Sequence, residues 1–371
     1  MLDQLTDDQI ALRDAIERFF DKEHDFEQRR KHLSLPTGSD MALQTALADL
    51  GMTALAVPEE HDGLGTGLAE VALTMQAAGR TLLLEPLLWG AIMPALLLGR
   101  FGSAAQKADQ LPGIAAGERT LALALSEPRG GQDLSFVETT ATSSGDGFTL
   151  TGKKIEVWDG SLAQALIVTS RVDGELAFFL VPSDADGVTM KHFRSHDGLR
   201  LSELDLNGVS LGPDTRIGGD GAEMLDWLMN RAAILQCHEA IGAMDRLFDL
   251  LLEHLQTRMQ FNKPLGAFQV LQHRASDMYV ARETARALCE QALEAVETGA
   301  ENASRLVSAA KVTTNDAADL MGREAVQLHG GLGITEEHPV SHYFRRLEAF
   351  CARCGTREFH LGRFVALSDT N

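Results

Sequence analysis

Arg258-Met-Gln-Phe261-Asn-Lys-Pro-Leu-Gly-Ala-Phe268-Gln269, then Gln327-Leu-His329-Gly330-Gly331-Leu-Gly333-Ile-Thr335, then Cys354-Gly355-Thr356: these three stretches, in this order, decide how the chain reads. The first closes an apolar-periodic run through Leu225, Leu228, Ile234, Leu235, Ile241, Met244, Phe248, Leu251 and Leu255, which predicts a long helix up to Arg258. A guanidinium at its end is suited to phosphate, and Phe261 and Phe268 are able to pack on a flat ring. Taken alone, such an arginine settles the helix dipole. The second stretch ends another helical run with glycines that let a ligand or a second chain approach the backbone; taken alone, it is a glycine cap.

Working outward, Phe268 to about Thr298, Ala303 to His329 and Pro339 to Leu367 continue the helical period, so the last third predicts a four-helix bundle. The start is also helical: Leu5, Ile10, Leu12, Ile16, Phe19 and Phe20 recur at threes and fours behind a Thr6-Asp7-Asp8 cap signal. Breaks fall at Pro36-Thr-Gly38-Ser39, at Val57-Pro58 through Gly65 and at Glu85-Pro86. Between these regions lie short apolar runs, Thr120–Ser126, Gly147–Leu150, Ala165–Thr169 and Leu176–Val181. They are bounded by Gly145-Asp146-Gly147, Asp173-Gly174 and Pro182-Ser-Asp-Ala-Asp-Gly187, and predict a small β unit. The expected fold is α+β: an N-terminal helical domain over 1–119, a middle β-barrel-like domain over 120–219 and a C-terminal four-helix bundle over 220–371.

A chain of 371 residues fits two or three packed units. Its net charge of −20 opposes nucleic acid and anionic membrane surfaces. No apolar run reaches the ~18 residues that cross a bilayer, and the opening Met1-Leu-Asp-Gln-Leu-Thr-Asp-Asp has no positively charged leader, so a cytoplasmic protein without membrane insertion is expected. Cys237, Cys289, Cys351 and Cys354 are too few for a disulfide framework. Cys351 and Cys354 form a CxxC that reads as two partly buried thiols, with a redox pair or half a zinc site as the alternative; no metal site is expected. Asp184-Ala-Asp186-Gly187 reads as a hairpin turn, lacking the spacing of a calcium loop. Gly63-Leu-Gly65-Thr-Gly67 reads as a helix connection, and Arg345 and Arg346 as interface or intrahelical ion-pair partners.

Together with Leu5-Thr-Asp-Asp-Gln-Ile-Ala-Leu-Arg, the Ala56–Gly65 loop and Ser126-Glu127-Pro128-Arg-Gly-Gly131-Gln-Asp133, the opening motifs resemble the acyl-CoA dehydrogenase family over nearly the whole chain. The resemblance implies FAD as cofactor and an acyl-CoA substrate desaturated between Cα and Cβ, a carboxylate removing the α-proton. It implies electron transfer flavoprotein as electron acceptor. It also implies that Arg258, Phe261, Phe268, Gln269, Gln327, Leu328, Gly330 and Gly331 hold the pyrophosphate and adenosine of a neighbouring subunit's FAD, and that Leu125 and Ser126 line the chain's own flavin pocket.

The chain departs from the family at the base. Cys354 stands where the family commonly has Glu before Gly-Thr, and Ala232 occupies the second known location. In the flavin-lining segment Trp158 replaces a threonine, and Gln132 replaces a serine near the substrate's phosphate end. The chain is therefore similar to the small subunit of heteromeric bacterial enzymes of the pimeloyl-CoA or steroid side-chain type, which implies a homologous partner subunit in an α2β2 assembly. Two alternatives stand beside it. One is a homo-oligomer with an unrecognised base, for which Glu239 and His238 are the nearest titratable groups, read otherwise as a helix-interface carboxylate and a surface imidazole; Cys354 is a weaker thiolate candidate. The other is a flavin-free structural partner.

Overall fold

The computed structural model describes residues 5–368, so Met1–Gln4, part of the start read above for a leader, lies outside the described residues. Six helices come first: α1 Asp7–Glu23, α2 Phe26–Ser34, α3 Met41–Asp49, α4 Leu68–Thr81, α5 Met93–Phe101 and α6 Ala104–Ala115. Eight strands follow: β1 Leu121–Ala124, β2 Thr140–Ser144, β3 Gly147–Trp158, β4 Ala165–Val172, β5 Glu175–Pro182, β6 Val188–Arg194, β7 Arg200–Leu211 and β8 Arg216–Ile217. Five helices close the chain: α7 Gly221–Thr257, α8 Gln269–Thr298, α9 Ala303–His329, α10 Pro339–Ala352 and α11 Arg357–Ser368. Among the described residues, no helix is long and apolar enough to cross a membrane.

Local chemistry explains several boundaries. Thr6 starts α1 through a capping box, its hydroxyl accepting from Gln9 N–H while the Gln9 side chain accepts from Thr6 N–H. The fourth bundle run is two helices, α10 and α11, where a single helix was expected. Cys354 and Gly355 adopt φ of 53° and 103°, which no right-handed helix accommodates. A Cβ on Gly355 would stand 2.5 Å from His360 Nε2, so the break is built around that glycine.

The sheet runs β6-β7-β3-β2-β4-β5-β8, with β1 parallel to β4. Asp173 and Gly174, both at positive φ, close the β4–β5 hairpin between Val172 and Glu175. The Asp184–Gly187 segment is not the hairpin turn expected. β5 pairs with β4 and β8, whereas β6 pairs with β7, so this segment is a crossover between distant strands. The correction has a physical reason: β5 is an interior strand buried through most of its length, β6 is a largely exposed edge, and a polar turn sequence looks the same in both connections. Leu150, Val157, Leu166, Val168, Phe179 and Leu204 fill the sheet's core. Inside it Lys154 Nζ donates to Glu127 (2.7 Å) and Thr169 (2.9 Å). Burial lowers the Lys154 ammonium to about 8 against the pull of Glu127. Glu127, pushed up by burial but accepting from Lys154, Thr139 and Glu138, still ends below its ordinary value, and this donor set is that of a charged pair.

The chain forms two compact units: one comprises the chain up to Lys31, Leu68–Leu83 and everything from Asn230 onward; the other comprises His32–Gly67 and Leu84–Met229. In the first, α4 and α7 cross in backbone contact. A Cβ on Gly242 would lie 1.8 Å from Gln76 O, and one on Gly79 would lie 1.9 Å from Glu239 O. The chain leaving α4 exposes carbonyls that other helices satisfy: Tyr343 donates to Arg80 O, Arg29 to Leu82 O (3.0 Å) and Arg346 to Leu83 O (3.2 Å). In the second unit Glu85 is buried, accepting from Ser39 Oγ (2.5 Å) and Asp40 N–H (3.3 Å), and burial pushes its carboxyl up to about 7.

Two outcomes follow. Gly242→Ala should lose about 3 kcal/mol or more of stability in urea unfolding, because backbone on both sides leaves the methyl nowhere to go; a loss under 1 kcal/mol would show that the helices separate freely. Glu85 prefers its neutral form in the fold, so its contribution to stability is complete below pH 4.5 and is lost as the pH rises through about 7. Unfolding curves from pH 5 to 9 should show wild type losing about 3 kcal/mol relative to Glu85→Gln; parallel profiles would refute the assignment.

Candidate functional site

All residues of the expected phosphate-binding set from Arg258 to Gly331 lie in the first compact unit. Arg258 follows the last residue of α7, its N–H donating to His254 O (2.9 Å), and its side chain is exposed. Among the described residues no carboxylate pairs with it. That is informative in a chain of net charge −20. Neighbouring arginines of the bundle are neutralised: Arg274 by Glu324, Arg282 and Arg286 by Asp245, Arg345 by Glu336 and Arg357 by Asp316.

After Arg258 the chain makes a two-stranded ribbon, Met259–Gln260 against Lys263–Pro264, whose turn residues Phe261 and Asn262 both take positive φ. Phe261 is thereby thrust out, 85% exposed, and meets the edge of Phe268 at 6.1 Å. Lys263 Nζ lies 4.0 Å above the Phe268 ring, a cation the sequence reading passed over although it stood inside the quoted motif. Phe268 is the N-cap of α8 and Gln269 its first, exposed residue.

The second arm starts at the end of α9. Gln327 is exposed, Leu328 is buried, and Gly330, at φ 60° and ψ −138°, returns its N–H to Gln327 O. A Cβ at Gly330 or Gly331 would meet nothing within 4 Å, so this backbone faces open space; Gly333, by contrast, is held against Val326 O. The arms are joined beneath by ring contact. His254 and His329 stack with centroids 4.4 Å apart, and His329 meets His338 at 5.2 Å. No sequence motif singled out His254 or His338, because 75 residues separate His254 from its ring partner. An unpaired guanidinium, a nearby ammonium, two aromatic rings and unobstructed glycine backbone fit a dinucleotide's phosphates and flat base.

The base positions present no carboxylate. Ala232 is fully buried in α7. Cys354 occupies the break before α11, its carbonyl accepting from His360 Nε2 (2.7 Å). Arg357, three residues further on and the kind of cation that could activate a thiol, is ion-paired with Asp316 at 2.6 Å. Cys351 donates to Asn315 O, and burial pushes its thiol up to about 11, the opposite of a reactive thiolate. Glu239 accepts from Arg346 Nη1 at 2.6 Å, and that guanidinium is nearly inaccessible, so protonating the carboxylate would strip a buried cation of a counter-ion. Arg345 and Arg346 are thus paired, but to Glu336 and Glu239. His238 is not the surface imidazole expected: it is fully buried, hydrogen-bonded to the Gln76 amide (2.8 Å), and burial lowers it to about 4. It points into the α4–α7 contact because its helix is buried on that side too.

In the second unit Leu125 is buried, its carbonyl accepting from Thr169 Oγ1 (3.4 Å), and Ser126 O accepts from Ile155 N–H (2.9 Å). Trp158 ends β3 just after a bulge in which Glu156 takes positive φ.

Comparison with known proteins places this geometry. The chain matches the N-terminal domain of acyl-CoA dehydrogenases over 6–118, the middle domain over 122–209 and the C-terminal domain over 219–366. It is 28% identical to acyl-CoA dehydrogenase FadE27 of Mycobacterium tuberculosis over 86% of this chain and 85% of that one. Among solved structures it is similar to a chain of the ChsE4-ChsE5 complex of M. tuberculosis, with 26% identity, 99% of each chain covered and a TM-score of 0.93. It is also similar to a chain of the Tcur3481-Tcur3483 steroid ACAD, with 27% identity, 98% of each covered and a TM-score of 0.91. Matched from end to end by the family's three domains, the chain belongs to the acyl-CoA dehydrogenases, oxidoreductases that act on acyl-CoA.

Proposed function

We propose that this chain is the base-lacking subunit of a heteromeric acyl-CoA dehydrogenase, lending its phosphate clamp to FAD whose ring and substrate are served by a homologous partner in an α2β2 assembly. The observation that carries the reading is the contrast within one unit: Arg258 is left unpaired and open, while Glu239 is spent on Arg346 and both base positions hold residues without a carboxylate. One similar solved chain is named as part of a ChsE4-ChsE5 complex and another carries the paired name of a steroid ACAD, which supports the partner and favours a bulky acyl group.

In this reading Arg258 offers a two-pronged donor to phosphate oxygens, and Lys263 adds a second positive charge. The unobstructed backbone at Gly330 and Gly331 lets the same anion approach closely, and Gln327 and Gln269 supply amides at the rim. Phe261 and Phe268 would stack on adenine, which explains why Phe261 tolerates exposure; Met259, Leu332 and Ile334, each at least half exposed, would be covered along with it. Bound FAD would supply the acceptor for the two electrons leaving with the substrate's β-hydrogen, with electron transfer flavoprotein as its electron acceptor. The α-proton goes to a carboxylate of the partner. Leu125 and Ser126, at the start of the middle domain bounded as 120–219, would line the chain's own flavin pocket, the half in which Trp158 departs from the family.

Co-expression with an adjacent dehydrogenase-like gene should yield a complex with one FAD per two chains; one flavin per chain in the isolated, active protein would favour the homo-oligomer, and a colourless complex the structural partner. In the assembled complex Arg258→Ala should raise the FAD dissociation constant at least tenfold, about 1.4 kcal/mol, and unchanged retention removes the residue from the clamp. Cys354→Ala should leave kcat within about twofold, since no proton passes through the thiol; a hundredfold fall would make Cys354 the base after all.

A further inference from the structure

The clamp's two arms belong to different helices, and what ties them is unusual. His254 is on the last full turn of α7, and its carbonyl receives the N–H of Arg258. His329 is the last residue of α9, 5% exposed, and directly precedes Gly330. Its Nδ1 donates to Ala325 O at 2.8 Å, since a carbonyl can only accept. His338 is the N-cap of α10, its Nδ1 accepting from Val340 N–H. The three rings form a continuous column, 4.4 Å and 5.2 Å between centroids, reaching from the arginine arm through the glycine arm to the next helix.

We infer that His254, His329 and His338 act as positioning residues, an imidazole strut that sets the spacing between Arg258 and the Gly330–Gly331 backbone and that gives way on acidification. The inference rests on the clamp reading for its ligand, but the strut itself is a property of this chain.

The charges that meet at the column decide the direction of its pH response. From α7 comes His254, from just beyond it Arg258, from α9 His329, and from the turn before α10 His338; the carbonyls of Ala325 and Leu250 beside His329 favour its charged form. Burial lowers all three imidazoles from 6.5; the other two rings and Arg258 lower His254 further, and His329 lowers His338. The column is therefore neutral at pH 7.5. A depressed folded value means that the strut's contribution is complete above 6.5 and is lost as the pH falls through the lowered values. Protonation would put like charges on stacked faces beside an arginine, so the rings move apart and the arms with them.

Flavin dissociation from the assembled holoenzyme, measured at pH 7.5 and 5.5, tests this. Wild type should release FAD at least tenfold faster at pH 5.5. His254→Phe keeps a ring in the stack and removes a titrating group, so the ratio should fall below threefold. His254→Ala should release quickly at both pH values. His338→Asn, which preserves the helix cap but shortens the column, should give intermediate release and serves if the His254 variants fold poorly. The second readout is independent of flavin: protection factors of the amides from Leu328 to Gly333 in the chain itself should drop at pH 5.5 in wild type and hold in His254→Phe. A tenfold ratio preserved in His254→Phe, together with unchanged protection factors, overturns the strut. If Arg258→Ala leaves FAD retention unchanged while the protection factors behave as stated, the clamp reading fails and the strut survives as a device serving another ligand.

Discussion

The contact on which the rest of the bundle depends is the crossing of α4 and α7 at Gly79 and Gly242, where each glycine's missing Cβ is replaced by the other helix's carbonyl. Backbones that close leave no room for side chains to cap α4, so its departing carbonyls are reached from outside by Arg29, Tyr343 and Arg346. A guanidinium drawn so far inward requires a counter-ion, and Glu239, whose own carbonyl is part of the crossing, provides it at 2.6 Å. Removing that carboxylate would take a counter-ion from a buried cation, at a cost of about 3–5 kcal/mol. Packing thus assigns Glu239 its role before chemistry can. A sequence reading sees an acidic residue on the right helix; only the crossing reveals that it is committed.

Much of the scaffold was legible because it rests on short-range chemistry. The Thr6 capping box, the Asp173-Gly174 hairpin and the first three long helical runs of the bundle each follow from residues within a turn or two of one another. The parts that escaped lack such local signals. β2 is Thr140-Ala-Thr-Ser-Ser144, too polar to announce a strand; β6 is an exposed edge; β7 is pulled out of strict alternation by its irregular register with β3. The acidic segment after β5 was misread because turn chemistry reports that the chain bends and not where it goes next.

The clamp was half legible for a similar reason. Arg258, the phenylalanines and the glycine turn carry their chemistry in the sequence, but the feature that gives Arg258 meaning is the lack of a partner, which is visible only when every other side chain has been placed. His238 shows the reverse error: an imidazole beside a glutamate suggests a side chain facing solvent, yet α7 is buried on more than one face and leaves it dry.

These observations bear on how a family fold can divide its labour. A phosphate clamp is made of backbone geometry and one unpaired cation, so it persists as long as the ends of α7 and α9 stay in register. A general base is a single side chain, and replacing it by Cys354 or Ala232 costs the scaffold little: Ala232 packs in a helix core, and the Cys354 break depends on Gly355 and His360 rather than on the thiol. Selection on a subunit whose partner supplies the base would act on the first and ignore the second. The pattern within this chain, an exposed arginine and open glycine backbone joined through three adjoining imidazoles, with no carboxylate at Cys354 or Ala232, is what that asymmetry of constraint would leave behind.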